Sequence, residues 1–459
     1  MTMADPRTSR RSSRARLDEL VNRLREQILT GEWAAGQYLP SEKWLAAEHQ
    51  LSNQSVRKGL AKLAEEGLIR KIPRVGTRVV GPAEGVTATI RLGYHASVTG
   101  EADILQLIAK FHKQHPQFRV QAVPLAISSY NNLGSYLQNE ILDVVMLNYN
   151  QFLTFMDAGG ASSLESMDSN GELYTFLSEA FAYEGRQLAL PFIFSPLILC
   201  YNRRHFQEQG LPEPDSGWSW TDLTEVASRL SKQKERIGFH CDFYSINRWP
   251  LLPLQLGAKA ERYADGRIRL TGTKLMEALH RCKAMKEMFP LIADGTTTGQ
   301  SERMLREGKV SMIMTTYFYL NYLRGASLPF DVAPVPHFGQ PATMLLNIGL
   351  AVSRQSRVKE SALQLVRFLT SSAAQQYIRL NTYSLPARKL DAEWSGEEVI
   401  YRPSRFSLFR EIIPSFHYIS DLGLSAAELE RLHESAKWYW AGLESEEGLA
   451  LKMESPEEG

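Results

Sequence analysis

The most constraining feature of the sequence is the stretch of residues 39–80, LPSEKWLAAEHQLSNQSVRKGLAKLAEEGLIRKIPRVGTRVV. Pro40 and Ser41 open a short predicted helix that ends near His49, with the Ser41 hydroxyl as its cap. Ser52 is predicted to cap a second helix. The apolar stripe of that helix consists of Val56, Leu60 and Leu63, and Gly67 ends it.

Two short β-runs follow the second helix, residues 68–72 and 77–80. A turn that contains Pro73 and Gly76 separates them, which predicts a hairpin. Upstream, an amphipathic helix that ends near Gly31 supports the other two, with an apolar stripe made of Leu17, Leu20, Val21, Leu24 and Ile28. The whole pattern predicts a winged helix-turn-helix, a DNA-binding fold.

Many fixed spacings within residues 39–80 resemble the DNA-binding domain of the GntR family of bacterial transcription regulators. The matching residues are Leu39-Pro40-Ser41-Glu42, Leu45-Ala46, Ser55-Val56-Arg57, Leu60, Leu63, Glu66-Gly67-Leu68-Ile69 and Gly76-Thr77. The resemblance implies that the second helix enters the major groove by its N-terminal end.

Asn53 and Gln54 stand at that end, and their amides are suited to bidentate contacts with an adenine edge. The alternative is a solvated helix start that touches no base. In the wing, Arg70, Lys71, Arg74 and Arg78 are expected to contact phosphates. The predicted DNA-binding set is Lys43, Ser52, Asn53, Gln54, Ser55, Arg57, Lys58, Arg74 and Gly76.

The charge distribution agrees with such a surface. Residues 1–83 carry a net charge of +6, and because the whole chain carries +1, residues 84–459 carry −5. A basic DNA-binding part is what phosphate contact requires. The three widely spaced cysteines, Cys200, Cys241 and Cys282, suggest neither zinc nor disulfides, and we expect them to be buried thiols.

The length of 459 residues favours several domains. We expect a basic disordered tail at 1–13, the winged domain at 14–80, a linker at 81–89, an effector domain at 90–445 and an acidic solvated tail at 446–459. The nine linker residues span at most about 30 Å, so the domains are expected to lie close together. We expect no membrane span and no signal peptide, and hence a cytoplasmic protein.

From residue 90 onward, strands alternate with helices. The predicted strands are 90–93, 118–125 and 143–147, and a helix is predicted at 102–115. This order favours an α/β domain with a largely parallel sheet, whose ligands bind at the C-terminal ends of strands.

The same part of the chain resembles the bacterial extracellular solute-binding proteins that serve sugar ABC transporters. The residues that carry the likeness are Asp143-Val144-Val145, Gly185 with Leu190-Pro191, Tyr201-Asn202, Trp218 to Asp222, and Arg306 to Lys309 with Met312. The fold class implied is multidomain: an α-rich winged helix-turn-helix followed by a two-lobed α/β domain of the type II periplasmic-binding-protein class.

The resemblance also implies ligand loops at 94–99, 148–151, 194–195, 244–249 and 317–318. Aromatic faces suit sugar C–H groups, while amides and hydroxyls suit sugar hydroxyls. For each aromatic the alternative is core packing. The predicted ligand-binding set is Tyr94, His95, Ser97, Thr99, Asn148, Asn150, Gln151, Ser195, Tyr244, Trp249, Tyr317 and Phe318.

These features favour a non-enzymatic regulator without cofactor or metal, which binds palindromic operator DNA as a homodimer and senses a small solute, with a sugar as the expected class. Two hypotheses stay open. One is a GntR-type regulator with an aminotransferase-like domain, in which Lys232 would hold pyridoxal phosphate. The other is a transport solute-binding protein.

Overall fold

The computed structural model describes residues 16–455 except 18, 26, 29–31, 66, 74, 81–86, 233–234 and 290–298. The predicted tail at 1–13, most of the predicted linker, Arg74 and residues 456–459 therefore lie outside the described residues. The chain forms two domains, a small winged domain up to residue 80 and a large two-lobed domain from residue 87.

The winged domain has the predicted order of elements. Its parts are α1 (helical residues 16, 17, 19–25, 27 and 28), α2 (Glu42–Glu48), α3 (Asn53–Glu65), β1 (Ile69–Ile72) and β2 (Gly76–Val79). Both predicted caps are confirmed, because the Ser41 hydroxyl accepts from Trp44 N at 3.2 Å and the Ser52 hydroxyl from Ser55 N at 3.1 Å. The predicted apolar stripes close a core of their own around Leu20, Val56 and Leu63.

The large domain contains many short strands and two long ones. They are β3 (Ala88–His95), β4 (Phe118–Leu125), β5 (Val144–Asn148), β6 (Ala182–Tyr183), β7 (Arg186–Gln187), β8 (Leu190–Asn202), β9 (Ile237–His240), β10 (Glu261–Arg262), β11 (Ile268–Arg269), β12 (Val310–Thr316), β13 (Phe330–Ala333), β14 (Thr343–Val352), β15 (Leu385–Pro386) and β16 (Phe416–His417).

Its helices flank the strands on both sides. They are α4 (Val98–Ala102), α5 (Ile104–Gln114), α6 (Leu133–Gln138), α7 (Tyr149–Asp157), α8 (Thr175–Ala180), α9 (Arg203–Gln209), α10 (Trp220–Leu230), α11 (Leu251–Gln255), α12 (Lys274–Met288), α13 (Gln300–Arg306), α14 (Tyr317–Leu320), α15 (Lys359–Leu369), α16 (Ser372–Asn381), α17 (Lys389–Ala392), α18 (Ala426–Trp440) and α19 (Glu446–Glu454).

The main sheet is mixed, which corrects the expectation of a largely parallel sheet. Its strand order is β4-β3-β5-β14-β8-β12-β9. Strand β3 runs parallel to β4 and β5, and β12 runs parallel to β9, but β14 and β8 are antiparallel to their neighbours. Two long crossing strands, which short periodic patterns do not reveal, account for the difference.

Strands β8 and β14 join two lobes. In β8, residues 190–196 pair with β14, whereas residues 197–201 pair with β12 of the second lobe. The crossing is fixed by buried side chains: the Ser195 hydroxyl accepts from Tyr317 N at 2.7 Å, and the Thr343 hydroxyl donates to Leu197 O at 2.8 Å. The second lobe has a separate hydrophobic core that includes Trp218 and Trp249.

The helix predicted at 102–115 is present as α5, Ile104–Gln114. Asp103 adopts a left-handed conformation with φ of 48° and separates α5 from the short preceding helix α4, which was not predicted. The carboxylate of Asp103 accepts from Arg324 at 3.1 and 3.2 Å. This long-range ion pair holds a backbone geometry that helical periodicity alone does not indicate.

The acidic C-terminal segment is not a solvated tail, contrary to the sequence-based expectation. Residues 446–454 form α19, whose face of Leu449, Ala450 and Met453 is buried. The Glu454 carboxylate accepts from the backbone N–H groups of Leu270 and Thr271, each at 2.8 Å. Apolar residues at helical spacing outweigh the acidic composition here.

Asp143 provides a test of the first lobe's stability. Its buried carboxylate accepts from Arg91 N and Nε at 2.8 Å, from Arg91 Nη2 at 3.0 Å and from the Ser356 hydroxyl at 2.7 Å. Asp143→Ala is expected to lower the free energy of unfolding by about 3–5 kcal/mol, because it strands a partly buried arginine. Urea unfolding followed by tryptophan fluorescence measures this. Asp168→Ala removes an exposed carboxylate and is the control; equal midpoints for the two variants would contradict the prediction.

Candidate DNA interface and ligand cleft

Most of the predicted DNA-binding residues that the structure describes are exposed on the winged domain. Asn53 and Gln54 start α3 and are exposed, as are Lys43 in α2 and Arg57 and Lys58 one turn further along α3. Gly76, at the start of β2, is exposed with φ of 146°. This arrangement presents amides and cations together at the N-terminal end of the recognition helix.

Two of the predicted contacts are already engaged within the protein. The Ser52 hydroxyl caps α3 and lies 2.9 Å from the hydroxyl of half-buried Ser55. These serines therefore stabilise the start of the helix. The amides of Asn53 and Gln54 are the groups whose chemistry suits contact with base edges.

Glu42 connects all three parts of the interface. Its carboxylate accepts from Arg57 Nε at 2.6 Å and from the Lys71 ammonium group, so that α2, α3 and the wing are joined. The hydrogen bonds from these two cations lower the pKa of the Glu42 carboxyl. The side chains of Arg57 and Lys71 remain 66% and 65% exposed, which leaves both cations accessible to phosphates.

The ligand cleft is a cavity of about 480 Å³ between the two lobes, a size typical of small-molecule sites. The first lobe contributes the ends of β3 and β5 with the starts of α4 and α7. The second contributes residues 246–248, α14 and the segment 419–430, and β14 crosses beneath.

Half of the predicted ligand-binding residues line this cavity: His95, Ser97, Asn148, Asn150, Gln151 and Phe318. His95 Nδ1 lies 2.8 Å from the Ser97 hydroxyl, and burial lowers the pKa of the imidazole, which favours its neutral form. Asn148 and Gln151 form a capping box at α7, with Asn148 Oδ1 accepting from Gln151 N and Gln151 Oε1 from Asn148 N, each at 2.9 Å. Their NH₂ groups take no part in that box.

The other six predicted residues do not line the cavity, and we revise their assignment. Tyr94, Ser195, Trp249 and Tyr317 are buried, and the Tyr317 hydroxyl donates to Phe406 O at 2.9 Å. Half-buried Tyr244 packs against Trp440 with ring centroids 5.9 Å apart, and Thr99 lies on α4 outside the lining. For these aromatic residues the alternative of core packing applies, because their large rings fill the interior of the lobes.

The structure adds lining residues that were not in the predicted set. They are Glu101, Tyr130, Tyr149, Arg248, Tyr319, Asn347 and Ser420, among others. Tyr149 and Arg248 fall within the predicted loops. The available signals for two more were an acid within the apolar helix start at residue 101 and an asparagine within the apolar run TMLLNIGLAV at residue 347.

Fold and cleft together define a two-lobed solute-binding protein joined to a winged helix-turn-helix. The sequence pattern of the family "Bacterial extracellular solute-binding protein" matches residues 106–393, more than half of the chain, and the chain belongs to that family. The pattern of "Bacterial regulatory proteins, gntR family" matches residues 17–79, so the N-terminal domain is a GntR-type helix-turn-helix.

Curated relatives match over short stretches of the chain. The chain is 26% identical to the histidine utilization repressor of Klebsiella aerogenes over 132 residues, 27% of this chain and 53% of the relative. It is 44% identical over 55 residues to the transcriptional regulator TreR of Bacillus subtilis, 12% of this chain and 23% of the relative. The chain thus spans about a quarter to half of the length of these relatives.

Solved structures match the large domain. The maltose-bound MalE3 of T. maritima is 17% identical with a TM-score of 0.67, covering 80% of this chain and 98% of that chain. A substrate-binding protein of Listeria monocytogenes in complex with cycloalternan is 19% identical with a TM-score of 0.66, over 80% and 97% of the two chains. At this identity the likeness establishes the fold.

Two further observations concern the described residues only. None of their helices is long and apolar enough to cross a membrane. Among the same residues, no three His, Cys, Asp or Glu side chains are grouped so that they could hold a metal ion. The three cysteines are free and buried, as predicted.

Arg57 tests the DNA interface. Arg57→Ala is expected to abolish binding to a DNA duplex selected from a random pool, while the melting temperature of the protein is retained. Any residual affinity should show a salt slope reduced by about 1, because one phosphate contact is lost. Fluorescence anisotropy across a salt series measures both quantities. Lys113→Ala removes an exposed cation from the large domain as the control, and unchanged affinity for Arg57→Ala would refute the contact.

Proposed function

We propose that this protein is a transcription regulator that binds operator DNA as a homodimer and senses a small carbohydrate in its cleft, without catalysing a reaction. The observation that carries the proposal is the presence in one chain of an exposed recognition helix and a cavity between two lobes whose wall includes polar side chains. Because its output is DNA binding, we place its action in the cytoplasm.

The cleft lining supports a carbohydrate as the effector. The amide residues Asn148, Asn150 and Gln151 and the aromatic residues Phe318 and Tyr319 all line the cavity. Amides fit the paired donors and acceptors of sugar hydroxyls, and rings fit the apolar faces of a sugar. Several of the structural neighbours were solved with saccharides, including maltose and cycloalternan, which supports the same class.

A direct contact between the domains supports coupling. Arg119 in β4 of the first lobe donates through Nη2 to Gly67 O, at 2.9 Å, in the turn between α3 and the wing. Gly67 has φ of 72°, and a Cβ there would lie 2.7 Å from the same nitrogen, so glycine permits the approach. Lobe closure on a ligand would therefore be transmitted to the base of the recognition helix.

The alternative functions have less support. Lys232 is exposed just after α10, in a binding-protein fold, whereas a Schiff-base lysine needs a pocket that lowers its pKa. A transport role would not explain the presence of the GntR-type domain. The comparisons therefore favour regulation over both.

A thermal-shift screen of neutral mono- and oligosaccharides tests the sensing function. At least one sugar is expected to raise the melting temperature of the full chain, because a ligand that binds only the folded state stabilises it by about 2.7 kcal/mol at 100 times its Kd. Amino acids and nucleotides serve as the control panel. The absence of any sugar hit would count against carbohydrate sensing.

Arg119 tests the coupling. In the wild type the effector is expected to change operator affinity by about 5–150-fold, the usual range of allosteric coupling. Arg119→Ala should bring this factor close to one while ligand binding and ligand-free DNA binding persist. Anisotropy titrations with and without the effector measure the factor. Arg119→Lys, which keeps the charge and one donor, should retain part of it, and full coupling in Arg119→Ala would rule out this route.

A further inference from the structure

Two buried oxygens in the cavity wall accept no hydrogen bond from the part of the chain that the structure describes. They are Oε2 of Glu101 and Oδ1 of Asn347, whose residues are 6% and 1% exposed. A buried acceptor without a donor costs free energy, and the cost is higher for a charged group. Because both residues line the cavity, the missing donors can come from a ligand.

The orientation of the Asn347 amide is fixed by its neighbours. Its Nδ2 donates to the Tyr418 hydroxyl at 3.1 Å, and that hydroxyl donates its own proton to Phe176 O at 3.2 Å. The Tyr418 oxygen can therefore only accept from Asn347. The amide oxygen is left as the unsatisfied atom.

The Glu101 carboxyl has no matching cation among the described residues around it. Arg324 pairs with Asp103 at 3.1 Å, and Arg248 lies over the Tyr319 ring, 5.6 Å from its centre, where its charge acts on buried Glu302. The charged or titratable groups that surround Glu101 from the packed elements are His95, Asp103, Arg248, Glu302, Tyr319, Tyr322 and Arg324.

Two serines hold Glu101 in position, Ser384 through the backbone carbonyl of Glu101 and Ser97 through its carboxyl. The Ser384 hydroxyl donates to Glu101 O at 2.7 Å, and the Ser97 side chain hydrogen-bonds to the carboxyl. Burial raises the pKa of Glu101 to about 7, against the smaller lowering effect of Ser97. At neutral pH the free protein therefore holds this group close to half-protonated.

We propose that Glu101 and Asn347 are ligand-binding residues, and that the ligand satisfies them with hydrogen-bond donors: hydroxyl groups or an ammonium group of a saccharide. The inference rests on the proposed sensing function and specifies the chemistry of its site. A sugar whose carboxylate would meet Glu101 is rejected, because two anions would share a buried site.

Proton linkage follows from this arrangement. A ligand donor favours the ionised carboxylate, so binding lowers the pKa of Glu101 from its free value and releases a proton. The fraction of ionised Glu101 rises about tenfold between pH 6 and pH 8 for a group that titrates near 7. Ligand affinity is expected to rise by about the same factor over that interval and to level off above it.

The test uses isothermal titration calorimetry on the full chain at pH 6 and pH 8, in two buffers of different ionisation enthalpy. The probes are glucose, maltose and further neutral mono- and disaccharides, with glucosamine and glucuronate as charged analogues. We expect proton release near pH 7, about tenfold tighter binding at pH 8, and no binding of the uronate. Tighter binding of the amine than of the neutral sugar identifies an ammonium donor, and the reverse order identifies a hydroxyl.

Glu101→Gln keeps the size of the side chain and removes its ionisation. It should weaken binding at pH 8 at least tenfold and abolish both proton release and pH dependence. Asp168→Asn changes an exposed acid outside the cavity lining and should behave as the wild type. Melting temperatures report whether each variant is folded.

The failure modes are distinguishable. A sugar that binds wild type and Glu101→Gln equally, without pH dependence, overturns this inference and leaves the sensing function intact. Equal binding of the uronate and its neutral analogue has the same meaning. If no saccharide binds either protein, the proposed function fails and this inference fails with it.

Discussion

The large domain depends on the continuity of β8 and β14 through both lobes. Strand β8 pairs with β14 in the first lobe and with β12 in the second, so the lobes cannot separate without breaking ladder hydrogen bonds, and β14 connects β8 to β5 of the first lobe. Buried hydrogen bonds of Ser195 and Thr343 fix the point of crossing. The cavity lies between the two lobes that these strands join, so bending of the strands would change its width.

The winged domain is a separate folding unit attached to this hinged body. Its core contains only its own residues, and Glu42 joins both helices of the motif to the wing. A ligand can regulate the DNA-binding domain only if the position of that domain depends on the state of the cleft. The hydrogen bond from Arg119 to Gly67 meets that need, because β4 belongs to the lobe that carries His95 and Asn148.

How much the sequence predicted depended on how local each cause was. The caps at Ser41 and Ser52, and the hairpin of the wing, follow from neighbouring residues and were predicted correctly. The break at Asp103 is held by an arginine more than 200 residues away and could not be read from helical periodicity. Helix α19 was not predicted, because its acidic composition favoured the interpretation as a solvated tail.

The same distinction between local and long-range causes applies to the residues of the cleft. Polar residues directly after strands, such as His95 and Asn148, were found because strand ends position them at the cavity. Large aromatics such as Trp249 and Tyr317 were assigned to the ligand, although a ring is equally suited to a core. Deciding between these roles requires the tertiary packing, which sequence spacing does not contain.

A buried acid at the cavity wall also determines how the empty and occupied states differ in energy. Because folding raises the pKa of Glu101, the free protein binds a proton more tightly than the unfolded chain does, and its stability falls as pH rises from about 4.5 to about 7. A donor from the ligand would weaken that trend by stabilising the ionised form. The occupied cleft then loses less stability than the empty cleft as pH rises, and this difference is available to favour closure of the lobes.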